Sequence, residues 1–226
     1  MHFHTQESSP CANIGAAEAV AAYAQKGYDA IVVTDHYYDK LFEDNACGDG
    51  WEERIERWLK GYRLAKQEGE RLGVLVLLGM ELRFTHNWND YLVYGITERI
   101  LKDFPRLYNM REDEFHALAL QHGLIVVQAH PFRPNMIRYN PKWLSGIEIY
   151  NGNQRHENQN DAAKAYAAQH ALLPTGGSDF HEWEDLAKSG IRTTQRIQTI
   201  QDLTDVLRSG NYEVVYPASE GKPAHE

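Results

Sequence analysis

Histidine, aspartate and glutamate recur in this chain at intervals that suit a shared cation. His2 and His4 flank Phe3, and Asp179 and His181 flank Phe180. Residues two apart on an extended strand project to the same face, so each pair presents two ligating groups in one direction. Single ligand-type residues close three further segments: His36 in Thr34-Asp35-His36, Glu81 in Gly79-Met80-Glu81, and His130 just before Pro131. A lone histidine is most simply a surface or hydrogen-bonded residue, but four strand ends that each carry one argue jointly for metal chemistry. Imidazole with carboxylate suits zinc, iron or manganese better than magnesium or calcium.

These residues need elements that deliver them to one place. Apolar runs precede them: residues 30–33 before Asp35 and His36, 74–78 before Glu81, 124–127 before His130, and Leu172-Leu173 before the Gly176–His181 segment. Strands are also expected at 91–94, 146–150 and 212–216. Helical spacing of apolar residues covers 14–26, 51–72, 111–121, 160–170 and 199–210, and Gly27, Gly73 and Gly123 stand at three of the C-terminal ends, where a left-handed cap favours glycine. Residues 37–50 read as a loop over the strand ends. Strands alternating with helices predict an α/β fold with parallel strands inside and helices outside. In barrels of that kind the working residues gather at the C-terminal rim of the strands, which is where the His, Asp and Glu residues fall. No repeat or linker divides the chain, so residues 1–226 are expected to form a single domain.

Composition narrows the function. Only Cys11 and Cys47 are present, too few for a disulfide framework, and a cytoplasmic location is the expectation. No run approaches the roughly 18–20 apolar residues of a membrane span, and the N-terminus lacks the basic and apolar parts of a signal peptide. The formal net charge of −9, from 23 Lys and Arg against 32 Asp and Glu, disfavours nucleic acid as a partner. Carboxylates gathered around cations nevertheless leave a positive local field, so an anionic substrate stays compatible with that total.

The motifs His-Phe-His-Thr, Thr-Asp-His, Gly-Met-Glu, His-Pro-Phe, Gly-Ile-Glu-Ile-Tyr-Asn and Gly-Ser-Asp-Phe-His occur in this order from His2 onward. As a set they resemble the PHP (polymerase and histidinol phosphatase) family of metal-dependent phosphoesterases, over nearly the whole chain. The resemblance implies a distorted (β/α)7 TIM-like barrel, two or three divalent ions (Zn, Mn or Fe) and hydrolysis of a phosphate ester. It further implies that His2, His4, Glu81 and Asp179 hold a first metal, that Glu81 bridges to a second bound by His130, and that His36 and His181 hold a third. Two positions depart from the family pattern. Asp90 stands where a histidine is usual, and Ser9 stands where an acid is usual, with Glu7 two residues earlier as a substitute ligand.

Paired cations lower the pKa of bound water, so a hydroxide bridging two metals is the expected nucleophile. Arg83 and Arg133 are candidates to neutralise phosphoryl oxygens; for each, the plainer role is a salt bridge. Cys11 is expected to be a buried structural thiol, Tyr37 and Tyr38 packing residues, the five tryptophans core or interface residues, and His156 a surface residue. Asn151 is open between a substrate contact and a turn residue. The leading expectation is a phosphatase of a small soluble phosphomonoester. The alternatives are a nuclease or nucleotide phosphodiesterase, which would need a cationic groove, and a noncatalytic module that metals merely stabilise. Oligomeric state is not legible.

Overall fold

The computed structural model describes residues 1–43 and 49–217. Cys47 lies outside the described residues. The order of elements opens with helix α1 (Ala16–Gln25), strand β1 (Ala30–Val33), the two-residue strand β2 (His36–Tyr37) and helices α2 (Asp39–Glu43), α3 (Trp51–Trp58) and α4 (Lys60–Leu72). Strands β3 (Leu75–Arg83) and β4 (Asp90–Tyr94) follow, then α5 (Glu98–Asp103), α6 (Glu112–His122), β5 (Ile125–Gln128), β6 (Gly146–Asn151), α7 (Asn160–His170) and β7 (Leu173–Gly177). The last elements among the described residues are β8 (Gly190–Arg192), α8 (Ile200–Ser209) and β9 (Glu213–Val215).

One mixed sheet runs β1-β3-β4-β5-β6-β7, with β2 paired to β3. The expectation of parallel strands throughout needs correction at β4, which is antiparallel to both β3 and β5. The reason is length: residues 84–89 make a short turn, and a parallel return needs a crossover of a dozen residues or more. The sheet curls, and the N-terminal segment bridges its ends. Thr34 donates its backbone N–H to Phe3 O at 2.8 Å, and His4 donates to Phe180 O at 3.1 Å. Phe3 and Phe180 stack with ring centroids 5.2 Å apart. Gly177 permits this approach, because a side chain there would meet the His2 Cβ.

Alternation along the strands sorts the two faces. Leu78, Met80, Leu82 and Val93 join Ile55, Trp58 and Leu118 in the outer core under the helices. On the other face Val32, Leu77, Leu92, Tyr94 and Val127 pack together, with Leu203 and Leu207 of α8 against them. Glu81 and Arg83 share the Leu77 face of β3, so this interior is apolar at one end and charged at the other.

The long helix expected over 51–72 is two helices meeting at Leu59. Ser8 enters the break: its hydroxyl donates to Trp58 O at 2.6 Å and accepts the Gly61 N–H at 3.0 Å. A side chain at Gly61 would collide with Thr5 and Ser8. The loop that carries His4 is thereby locked onto the helix junction. Of the tryptophans, expected in the core or at an interface, Trp88 and Trp183 lie outside the core, 72% and 50% exposed.

Candidate metal centre

His2, His4, His36, Glu81, Asp90, His130, Asp179 and His181 converge at the C-terminal mouth of the curled sheet. Among the described residues, four groups bring their ligand atoms within 4.8 Å of one another: His4, His36 and His181; His2, Glu81 and His130; His2, His4 and Asp179; and His36, Glu81 and Asp90. Glu81 is central. Its carboxylate lies 3.0 Å from His2 Nε2, 3.4 Å from His4 Nε2, 2.6 Å from His36 Nδ1 and 3.3 Å from His130 Nε2. Asp179 Oδ1 closes the other side, 3.2 Å from His2 Nε2 and 3.5 Å from His4 Nε2.

Local backbone explains the convergence. The parallel register of β2 on β3 sets His36 beside Glu81. His130 and Asp179 both have positive φ, 28° and 50°, a sparsely populated conformation for residues with side chains that clusters at functional sites. Each turns a ligand back over the cavity at its strand end. The His181 ring is fixed by its Nδ1, 2.9 Å from Asp179 O.

The donor set fits divalent metals. His2 Nε2, His4 Nε2 and Glu81 Oε2 are buried without a hydrogen-bond partner, although their neighbours are 2.6–3.5 Å away. Polar atoms buried in this way are costly unless something satisfies them, and a cation among them does so. The electrostatics agree. Burial disfavours charge on His2, but Asp179, Glu148 and Glu81 outweigh it and raise its pKa well above the ordinary value. Burial likewise opposes charge on Glu81, yet His2 and His36 hold its carboxyl well below the usual range. His36 is raised because Glu81 and Cys11 outweigh burial, whereas burial together with His181 and His36 lowers His4. Protons thus occupy the region where cations would sit.

Some expected residues take other positions. Glu7 does not join the cluster; its carboxylate accepts the Ala16 N–H at the start of α1, at 3.0 Å. Its backbone position turns it toward the helix, and a carboxylate is stabilised at a helix N-terminus. Asp90 does join, but Arg83 grips it with two bonds of 2.7 Å, since the two residues are directly opposed on β3 and β4. Arg133 contacts Asp179 Oδ2 at 2.5 Å and is held by Asn158 and Asn151. Each arginine therefore buttresses a carboxylate at the rim of a cavity of about 590 Å³. Cys11 is exposed at that rim rather than buried. Desolvation opposes its ionisation, but hydrogen bonds with His181 and His36 prevail and bring its pKa down to about 6. His156 also lines the rim.

Sequence reasoning missed two orienting carboxylates. Glu148, inside the Gly-Ile-Glu-Ile-Tyr-Asn motif, lies 3.0 Å from His2 Nδ1 and accepts the His130 N–H at 3.0 Å. Asn151 donates to the same carboxylate at 2.9 Å, which makes it an internal hydrogen-bonding residue. Asp35 accepts from Thr5 N–H, Thr5 Oγ1 and Ser9 Oγ at 2.7–2.8 Å. A carboxylate on the far nitrogen of a ligating histidine fixes its tautomer and orientation. The signal for Glu148 was its placement in an apolar strand, where an unpaired charge does not belong.

Comparison with known proteins bears on the fold and on one segment of the sequence. Residues 157–212, which span α7, β7, the Asp179–His181 segment and α8, match the family model described as PHP-associated. A two-domain protein from Bacteroides vulgatus, containing a predicted PHP-like metal-dependent phosphoesterase, superposes with a TM-score of 0.64 at 16% identity, over 96% of this chain and 63% of its own. This chain thus spans less than two thirds of that protein. PsfC from Pseudomonas syringae superposes with a TM-score of 0.65 at 20% identity, over 96% of this chain and 90% of its own. Endonuclease Q, in complex with a 27-mer duplex carrying an abasic lesion at the active site, gives a TM-score of 0.60 at 14% identity, over 92% of this chain and 55% of its own. No curated protein matches the sequence. The 157–212 segment is thus similar to the PHP-associated family model, and the fold is shared with a protein that contains a predicted PHP-like phosphoesterase.

Proposed function

We propose that the chain is a metal-dependent phosphoesterase whose substrate is a small phosphomonoester. The observation that carries this reading is the convergence of five buried or half-buried imidazoles and the Asp90 carboxylate around Glu81 and Asp179, with ligand atoms left unpartnered. His2, His4, Glu81 and Asp179 would hold one ion, Glu81, His130 and Asp90 a second, and His36 and His181 a third. When bound, such ions polarise phosphoryl oxygens and acidify water.

The chain's own residues supply position and charge. Arg133, fixed by Asp179, Asn151 and Asn158, presents its guanidinium at the cavity rim, where it can offset charge that grows on phosphoryl oxygens. Arg83 has the same sign, but its two bonds to Asp90 make it chiefly a holder of that carboxylate. Glu148 keeps His2 oriented. The cavity of about 590 Å³ falls in the range of about 300–1,000 Å³ typical of small-molecule sites.

A small substrate is favoured over a nucleic acid by charge. The net total is −9, and Arg155 at the rim is taken up by Glu182, Glu184 and Asp185, so among the described residues no continuous cationic track lines the mouth. The test is turnover of a chromogenic phosphomonoester, a phosphodiester and an abasic-site duplex by metal-stripped protein reloaded with Mn, Zn or Fe. Monoester hydrolysis that exceeds the other two supports the reading. Preferential cleavage of the duplex makes the chain a nuclease, and no turnover with metal fully bound makes it a noncatalytic module.

A further inference from the structure

We propose that Cys11 is a ligand of the outermost metal position, joining His36 and His181, with its thiolate supplying the negative charge that a carboxylate would otherwise bring. The inference rests on the metal-binding reading above and extends it to a residue outside the expected ligand set.

The position expected to carry an acid holds Ser9, and Ser9 is committed elsewhere. Its hydroxyl donates to Asp35 Oδ1 at 2.7 Å and accepts the His36 N–H at 3.0 Å. Glu7, the other acid on this loop, caps α1. The loop then turns tightly, with the Ser9 N–H donating to Thr5 O and the Ala12 N–H to Ser9 O, each at 2.9 Å. That turn brings Cys11 to the open side of the cavity, whose lining it shares with His36 and His181. Independently, His4 Nε2 is fully buried, has no hydrogen-bond partner and faces the same two histidines. The thiol would thus be the third donor of the outermost position, on the solvent side, with His4 behind the same two histidines on the inner side.

The chemistry favours the assignment. Imidazoles alone leave the charge of a divalent ion uncompensated, and among Ser9, Glu7 and Cys11 only the cysteine is placed to neutralise it. Sulfur with imidazole nitrogens is a usual set for zinc, and a soft thiolate selects zinc or iron over manganese. The ion at this position would then differ in hardness from those bound to Glu81 and Asp90.

The test is electronic absorption of the stripped protein titrated with cobalt(II). A near-ultraviolet thiolate-to-cobalt charge-transfer band is expected in the wild type and in Cys47→Ser, lost in Cys11→Ser, with one equivalent of bound metal lost as well. A band that survives in Cys11→Ser, or a wild type that binds cobalt without one, overturns the proposal. Protein that binds no cobalt at all would instead defeat the metal-binding reading itself, so the two failures are distinct. Cys11→Asp provides a check on folding: it should regain the lost equivalent without the band, and failure to regain it counts against a ligand at this position.

Discussion

Glu81 is approached by His2, His4, His36 and His130 at 2.6–3.4 Å, and the chemistry of the centre follows from how that crowding is relieved. In the metal-free protein, protons relieve it, since His2 and His36 are raised above the ordinary histidine value and Glu81 and Asp179 are lowered. A metal must displace those protons. Metal affinity should therefore weaken as pH falls and keep rising with pH beyond the ordinary histidine range, with proton release on binding; calorimetry in buffers of different ionisation enthalpy measures both. Glu148→Gln weakens the hold on the His2 ring and should cost about 10–100-fold in metal affinity, read by competition with a chelator. An unchanged affinity would remove Glu148 from this role. His130→Ala should abolish hydrolysis with only a modest fall in Tm, and surviving activity would remove His130 from the centre.

At the scale of elements, much was legible because ligand residues sit just past apolar runs, and those runs are strands. Helix α7 falls at the expected 160–170, and β1, β5 and β7 fall on the apolar runs expected to precede His36, His130 and Asp179. Three features were hidden. The reversal of β4 depends on a turn too short to cross over, while the apolar pattern of 91–94 suits either direction. The break at Leu59 comes from Ser8, a residue some 50 positions away, so no helix-terminating signal marks it. The destination of Glu7 was a helix N-terminus, which only tertiary structure brings near. Two predictions belong here. Gly61→Ala should destabilise the fold by about 1–3 kcal/mol through overpacking against Thr5 and Ser8, measured by denaturant unfolding, and an unchanged midpoint would mean the loop adjusts freely. Glu7→Gln should leave metal stoichiometry unaltered and cost about 0.3–1 kcal/mol by weakening its interaction with α1; a lost equivalent of metal would return Glu7 to the ligand set.

For the molecule as a whole, the N-terminal segment and the segment after β7 are held together by a few backbone bonds and the Phe3–Phe180 stack. Both carry ligands. Cations shared by His2, His4 and Asp179 would tie the two ends of the sheet together, so binding should raise Tm in proportion to the logarithm of free metal above its Kd. No helix among the described residues is long and apolar enough to cross a membrane. All these expectations depend on one claim, that the clustered imidazoles and carboxylates hold divalent ions in the native protein. The most direct measurement is elemental analysis of protein purified without added metal or chelator, beside a His2→Ala/Asp179→Ala double variant. At least two equivalents of Zn, Mn or Fe per chain, sharply reduced in the variant, is the expected result; wild-type protein that is folded, free of metal and unable to take it up would contradict the claim.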